Sequence, residues 1–243
     1  MKFGSLFSGI GGMDLGLERA GMQCQWQVEI DEFANRVLQK HWPSVPRFRD
    51  VRECGAHNLT PVDLITGGFP CQDVSIAGRR AGLAGTRSGL WAEFARIIGE
   101  LRPRYILVEN VTGLLVGGMG RVLGDLSERG YDAEWETLQA PTSALHLRKR
   151  VFIFAYPTGE RPVCNEVFKG EHTKGHTSWE ANSPTVHLEA IGRTYPAIPS
   201  HLRMVDGLST GLDGIKGLGN AVVPQVAQSI GERIICANKN SNL

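Results

Sequence analysis

The chain has no apolar run approaching the ~20 residues that a membrane-spanning helix needs, which excludes a helical membrane protein. Cysteine is sparse: Cys24, Cys54, Cys71, Cys164 and Cys236 are odd in number and never form a Cys-x-x-Cys pair. Neither a disulfide framework nor a zinc site is expected from them. A dominant charge is missing too. With 26 Lys and Arg against 25 Asp and Glu the formal net charge is +1, so a nucleic-acid partner has to be held by local basic clusters. Internal repeats and low-complexity tracts are absent. Met1-Lys2-Phe3 leads into a glycine-rich segment instead of a signal-peptide core, so the cytoplasm is the expected location.

What is present is 243 residues, 42% hydrophobic and 21% charged, enough for one good core and a small appendage. Strand and helix patterns alternate. Phe3 to Phe7, Cys24 to Ile30, Val62 to Thr66 and Tyr105 to Val108 read as buried strands, because short apolar runs without polar alternation suit a sheet covered on both faces. Met13 to Arg19, Glu32 to His41, Leu90 to Leu101 and Met119 to Arg129 carry helical spacing, and Trp135 to Leu138 with Val151 to Ala155 look like two closing strands. The chain ends on a helix from Val226 to Ile235, introduced by Pro224. The expected fold is α/β: a doubly wound, mostly parallel Rossmann-like sheet. Residues 1–155 with 216–243 form its main domain, and 156–215, rich in Gly, Pro, Thr, Ser and His, form a small loop-rich insert.

Three places in this pattern carry chemistry. Phe7-Ser8-Gly9-Ile10-Gly11-Gly12 follows the first strand as a glycine turn that lets the backbone approach a ligand at a helix start. A dinucleotide fingerprint would need a third glycine at position 14, where the chain has Asp14, so a nicotinamide oxidoreductase is disfavoured. Glu29, at the end of the second strand, is placed to accept hydrogen bonds from a ribose diol. Taken singly, Glu29 and Asp50 read equally well as surface carboxylates. Pro70-Cys71-Gln72 and Glu109-Asn110-Val111 each follow an apolar strand, so a thiol and a carboxyl emerge at the carboxyl edge of one sheet, where ligands of such sheets bind. Basic clusters lie at Arg79-Arg80 with Arg87, at Arg102 with Arg104, and at Arg148-Lys149-Arg150; the Arg102 pair reads best as a solvated face.

Together these motifs resemble, in family order along nearly the whole chain, the cytosine-5 DNA methyltransferases, whose fold is that of class I S-adenosylmethionine-dependent methyltransferases. Phe7, Ser8, Gly9, Gly11 and Gly12 are similar to the S-adenosyl-L-methionine loop, Glu29 with Ile30 to the ribose site, and Asp50-Val51 to the adenine-contacting pair. Gly67-Gly68-Phe69-Pro70-Cys71-Gln72 resembles the nucleophile loop, and Glu109-Asn110-Val111 the acid motif. Arg148 and Arg150 match the family's Gln-x-Arg-x-Arg, although His146 stands where Gln is usual. Asn220 and Val222, within Gly219-Asn220-Ala221-Val222-Val223-Pro224, match the segment that closes the cofactor site.

The resemblance implies a mechanism. Cys71 attacks C6 of a flipped cytosine, protonated Glu109 donates to N3, Arg150 holds O2, and C5 takes the methyl group. Pro70 joins the cofactor contacts, while Gln72, Ser75, Arg79, Arg80, Arg87 and Arg203 become the candidate DNA contacts. Double-stranded DNA is the implied partner, with no metal and no membrane, and the chain acting as a monomer in a bacterial or phage-infected cell. Residues 156–215 are short beside the family's usual recognition domains, which resembles compact phage or prophage members and implies a short or degenerate target site. Two alternatives stay open: a tRNA cytosine-5 methyltransferase of the same superfamily, and a catalytically silent DNA-binding module.

Overall fold

The computed structural model describes residues 1–70, 89–140, 148–160 and 221–240. Among them, β1 (Lys2–Leu6), β2 (Gln23–Val28), β3 (Arg47–Phe48), β4 (Leu64–Gly67), β5 (Tyr105–Val111), β6 (Tyr131–Ala140) and β7 (Arg148–Pro157) form one sheet in the order β3-β2-β1-β4-β5-β7-β6. The first five strands are mutually parallel, and β7 runs antiparallel to both β5 and β6. The expected doubly wound, mostly parallel sheet is therefore the observed one. Its strand order reverses at β1, which has β2 on one side and β4 on the other, and such a switch point opens a crevice at the carboxyl ends.

Both faces of the central strands are apolar, as their sequences require. In β5, Ile106 and Val108 join one core with Trp91, Phe94 and Ile98, whereas Tyr105 and Leu107 join another with Leu17, Ile230 and Ile234. The first core is covered by α3 (Leu90–Leu101) and α5 (Met119–Glu128), and the second by α1 (Gly12–Arg19) and α6 (Pro224–Asn240). A single-turn α4 (Leu114–Gly117) leads from β5 into α5, with Leu114 fully buried. In α3 the buried residues Trp91, Phe94, Ala95, Ile97 and Ile98 recur at helical spacing. Trp91 Nε1 also donates to Asp125 of α5 at 2.6 Å. Helix α2 (Glu32–His41) begins where the Asp31 side chain accepts from the Ala34 N–H at 2.9 Å. Among the described residues no helix is long and apolar enough to cross a membrane.

The structure moves several expected boundaries. β1 stops at Leu6 because Phe7 takes a left-handed conformation with φ 54°, which an extended ladder cannot hold. β6 and β7 run longer than their apolar segments, because their antiparallel pairing continues as far as Ala140 opposite Arg148. β7 therefore includes Tyr156 and Pro157, where the composition had suggested loss of regular structure. The insert proper lies outside the described residues.

Helix α6 reaches the sheet edge by close approach to α1. A Cβ at Gly16 would sit 2.4 Å from the Pro224 carbonyl oxygen and 2.5 Å from Ala227 Cβ, and one at Gly231 would sit 2.8 Å from Ala20 Cβ. Because Val222, just before α6, meets Gly12 in the same way, this packing also fixes one wall of the crevice. Replacing Gly16 by Val should cost about 1–3 kcal/mol by overpacking. Urea unfolding reads that loss directly, and an unchanged midpoint would contradict the assigned contact.

Candidate active site

The crevice at the carboxyl edge is a single cavity of about 770 Å³. Its lining draws on β1 and the turn after it, the ends of β2, β4 and β5, Arg150 of β7, and Ala221-Val222 before α6. Of the residues singled out from sequence, Phe7, Ser8, Gly9, Gly12, Glu29, Ile30, Asp50, Val51, Pro70, Glu109, Arg150 and Val222 all line it. Gly11 shapes the turn from behind with φ +82°, where a Cβ would strike the Trp42 ring at 2.4 Å. Cys71, Gln72, Ser75, Arg79, Arg80, Arg87, His146, Arg203 and Asn220 lie outside the described residues. Arg148 is described only as the first backbone position of β7.

At one end of the cavity the Glu29 carboxylate is held by two backbone donors. Gly9 N–H donates to Oε2 and Asp31 N–H to Oε1, each at 2.7 Å. Burial pushes this carboxyl above its ordinary range, against the pull of those donors. One donor on each oxygen leaves lone pairs for further acceptance. Asp50 is the opposite case: hydrogen bonds from the Arg52 side chain and backbone N–H hold it down at about 2. Its oxygens lie 2.9 and 3.1 Å from Arg52 Nε. Ile30, which follows Glu29 in the chain and lines the same cavity, offers a large apolar surface that is 62% exposed.

At the other end stands Glu109, only 7% exposed at the end of β5. Arg150 Nε lies 3.1 Å from Glu109 Oε1, a pair set up by the antiparallel register in which Arg150 faces Val111 and Phe152 faces Glu109. A Cβ at Gly68 would come within 2.9 Å of Glu109 Oε2, so glycine there leaves the carboxyl its space. Asn110 is a residue whose part the sequence reading missed. Its side-chain amide donates to the Phe69 carbonyl at 3.1 Å, while its Oδ1 accepts from the Val111 N–H at 2.8 Å. It thereby ties the acid strand to the segment that leads through Pro70 to Cys71. Its place in Glu109-Asn110-Val111 was the available signal.

The free thiols that are described differ sharply. Burial pushes Cys24 far up and Cys54 up to about 11, so neither is a thiolate nucleophile at neutral pH. Cys24 and Cys54 are buried, whereas Cys236 is exposed on α6.

The cavity suits an adenosyl cofactor. It offers a carboxylate for a diol, apolar walls at Phe7, Ile30, Val51 and Val222, and a glycine turn feeding a helix N-terminus. Gly9 has φ +55°, and a Cβ there would meet nothing within 4 Å, so the turn presents bare backbone to open space.

This sheet and edge site define a Rossmann-like α/β domain of the methyltransferase class. The profile of the family described as C-5 cytosine-specific DNA methylase matches residues 1–196, and the chain belongs to that family. It is 33% identical over 217 residues to the type II methyltransferase M2.BsuMI of Bacillus subtilis, covering 82% of this chain and 55% of that protein. It is 44% identical over 123 residues to M.Eco47II of Escherichia coli, covering 49% and 29%. Among solved structures, a prophage-encoded Escherichia coli protein, a candidate DNA modification methyltransferase, superposes with a TM-score of 0.55 at 29% identity, over 65% of this chain and 47% of that one. The chain thus spans about half the length, or less, of the curated relatives it matches.

If the cavity performs the methyl transfer proposed below, replacing Asn110 by Ala should lower turnover at least about tenfold while leaving cofactor affinity unchanged, because the anchor on the Phe69 carbonyl is lost and the Glu29 end is untouched. Steady-state kinetics beside cofactor titration separates the two. Loss of both in equal measure would mean that Asn110 serves the fold and not the site.

Proposed function

We propose that this chain methylates C5 of cytosine in double-stranded DNA, with S-adenosyl-L-methionine as methyl donor. The observation that carries the reading is the single cavity joining the Glu29 end to the Glu109–Arg150 end, with Pro70, the residue before Cys71, on its wall. A family that acts on DNA cytosine supplies the substrate class.

Cytosine C5 is too weak a nucleophile to take a methyl group unaided. The Cys71 thiolate adds to C6, and Glu109 delivers a proton to N3, so the electron pair of the former C5–C6 double bond becomes available at C5. Arg150, held beside Glu109, donates to the base O2 and steadies charge as it develops. The cofactor supplies an electrophilic methyl group on a sulfonium. Loss of the C5 proton then expels the Cys71 thiolate and restores the aromatic base. Glu29 and the Gly9 turn hold the donor's ribose and amino-acid portion, and Asp50 with Val51 receives the adenine. The base has to leave the duplex to reach a buried carboxyl, a role that suits the basic, glycine-rich stretch from Asp73 to Ser88. Residues 156–215 supply target recognition over a short or degenerate site.

Base-resolution sequencing of DNA from a methylation-free host expressing the chain tests this reading. 5-Methylcytosine should appear, vanish with Cys71→Ala, and fall by about two to four orders of magnitude in rate with Glu109→Gln. A fully active Cys71→Ala protein would end the mechanism. Folded, cofactor-binding protein that leaves DNA unmodified would shift the substrate to RNA.

A further inference from the structure

After β3 the chain makes one 3₁₀ turn, Val51–Glu53, which together with Asp50 before it forms a wall of the cavity. So short a turn holds itself weakly, because most of its carbonyls find no partner within it. Its main-chain bonds run from Glu53 N–H to the Asp50 carbonyl at 3.0 Å and from Cys54 N–H to the Val51 carbonyl at 3.2 Å. Asn58 adds two more, donating from Nδ2 to the Glu53 carbonyl and accepting the Gly55 N–H at Oδ1, each at 3.0 Å. These bonds shape the segment from within. They do not attach it to the core.

That attachment comes from α3. Arg96 Nη2 donates to two carbonyls of the segment, Val51 at 3.2 Å and Cys54 at 2.8 Å. The rest of the guanidinium is braced on its own helix, with Nε donating to Glu93 Oε2 at 2.8 Å and Nη1 to Glu100 Oε1 at 2.6 Å. Glu100 Oε2 in turn accepts the Ala56 N–H at 3.0 Å, so helix and loop are joined twice. Gly55 leaves this clamp its room, because a Cβ there would sit 2.4 Å from Glu100 Oε2 and 3.3 Å from Arg96 Nη1. Helix α3 is a firm base for it: Phe94, Ile97 and Ile98 are fully buried, and Leu90, its first residue, lines the cavity. Arg96 itself does not line the cavity.

We propose that Arg96 is a positioning residue for the cofactor, locking the Asp50–Cys54 segment to α3 and so fixing the ledge of Asp50 and Val51 on which the adenine rests. The proposal rests on the reading that this cavity holds an adenosyl cofactor. Arginine suits the task because its planar fork can grip two carbonyls while two carboxylates brace it from behind. A lysine ammonium concentrates the same charge at one point and cannot span four partners. Without the fork, the Val51 and Cys54 carbonyls turn to water and the turn leaves its place. Ligand binding then has to order the turn, which weakens affinity at the adenine end. The Glu29 end keeps its own supports, the Gly9 and Asp31 N–H groups.

Calorimetric titration of the full chain with S-adenosylhomocysteine and with S-inosylhomocysteine, which carries a 6-oxo group in place of the 6-amino group, tests the proposal. Wild-type protein should prefer the adenine ligand, whose amino group the ionised Asp50 can accept. Arg96→Gln should weaken S-adenosylhomocysteine about ten- to a hundredfold and S-inosylhomocysteine less, so that the preference shrinks. Arg96→Lys should resemble Arg96→Gln. Glu93→Ala removes one brace without touching the loop, and it should lower affinity and preference in the same sense, by about two- to fivefold. It also carries the test should Arg96→Gln fail to fold. Unchanged affinity in a folded Arg96→Gln or Glu93→Ala protein overturns the proposal, as does an equal loss for both ligands, which would make Arg96 a scaffold residue only. Full recovery in Arg96→Lys, or a wild type indifferent to the purine, overturns it too. Folded wild-type protein that binds neither ligand overturns the cofactor reading itself, a result distinct from normal binding that ignores Arg96.

Discussion

The backbone ladder between β1, β4 and β5 is the constraint on which the site depends. Leu6 pairs with Gly67, and Gly67 with Val108, so the parallel pairing of the three strands ends level, while β5 runs on to Val111 against β7. The next residues, Phe7 and Gly68, leave the sheet beside Glu109, which β5 still holds in its pairing with β7. A slip of one residue in either pairing would turn Glu109 toward the opposite face. β7 completes the arrangement from the other direction, since its antiparallel pairing brings Arg150 back to the same edge. The glycine turn, the Gly68–Pro70 segment and the Glu109 carboxyl are thus neighbours because of main-chain hydrogen bonds, and side chains refine what the ladder has set.

The refinements share one pattern, in which polar side chains hold backbone groups that would otherwise be idle at the strand ends. Glu29 takes the N–H groups of Gly9 and Asp31, and Asn110 takes the Phe69 carbonyl. Each bond is worth only about 0.5–1.5 kcal/mol net. Leaving its partner buried and unpaired would cost more, which is why such residues fix loop geometry out of proportion to their small contribution to stability.

Much of the architecture was legible in the sequence, for a physical reason. Central parallel strands buried on both faces need uninterrupted apolar runs, and Tyr105-Ile106-Leu107-Val108 announces one. Edge strands give a weaker signal. β3 is only two residues long, and β6 alternates polar and apolar positions, with Trp135 49% exposed. The candidate site was legible through its glycines and its acid because their spacing reflects strand ends. Asp14 shows what was not: in sequence it marks only a missing glycine, and its burial depends on β2 and α1 packing together. The Arg102–Arg104 pair is similar. Arg102 stays exposed, as a solvated face would be, yet its guanidinium lies 5.4 Å from the Tyr131 ring centre. Arg104 bonds Asn238 of α6 at 2.9 Å, so these cations fasten elements together.

The central claim is that one cavity delivers both a thiol nucleophile and a methyl donor to the same base. Incubation with duplex DNA carrying 5-fluorocytosine at the target position tests it most directly, because fluorine cannot leave as the C5 proton does and the covalent adduct is trapped. Mass spectrometry of the digested complex should find the methylated base joined to the peptide that contains Cys71, and only when S-adenosylmethionine is present. A covalent bond to another residue, or methylated fluorocytosine formed without any adduct, would contradict the account.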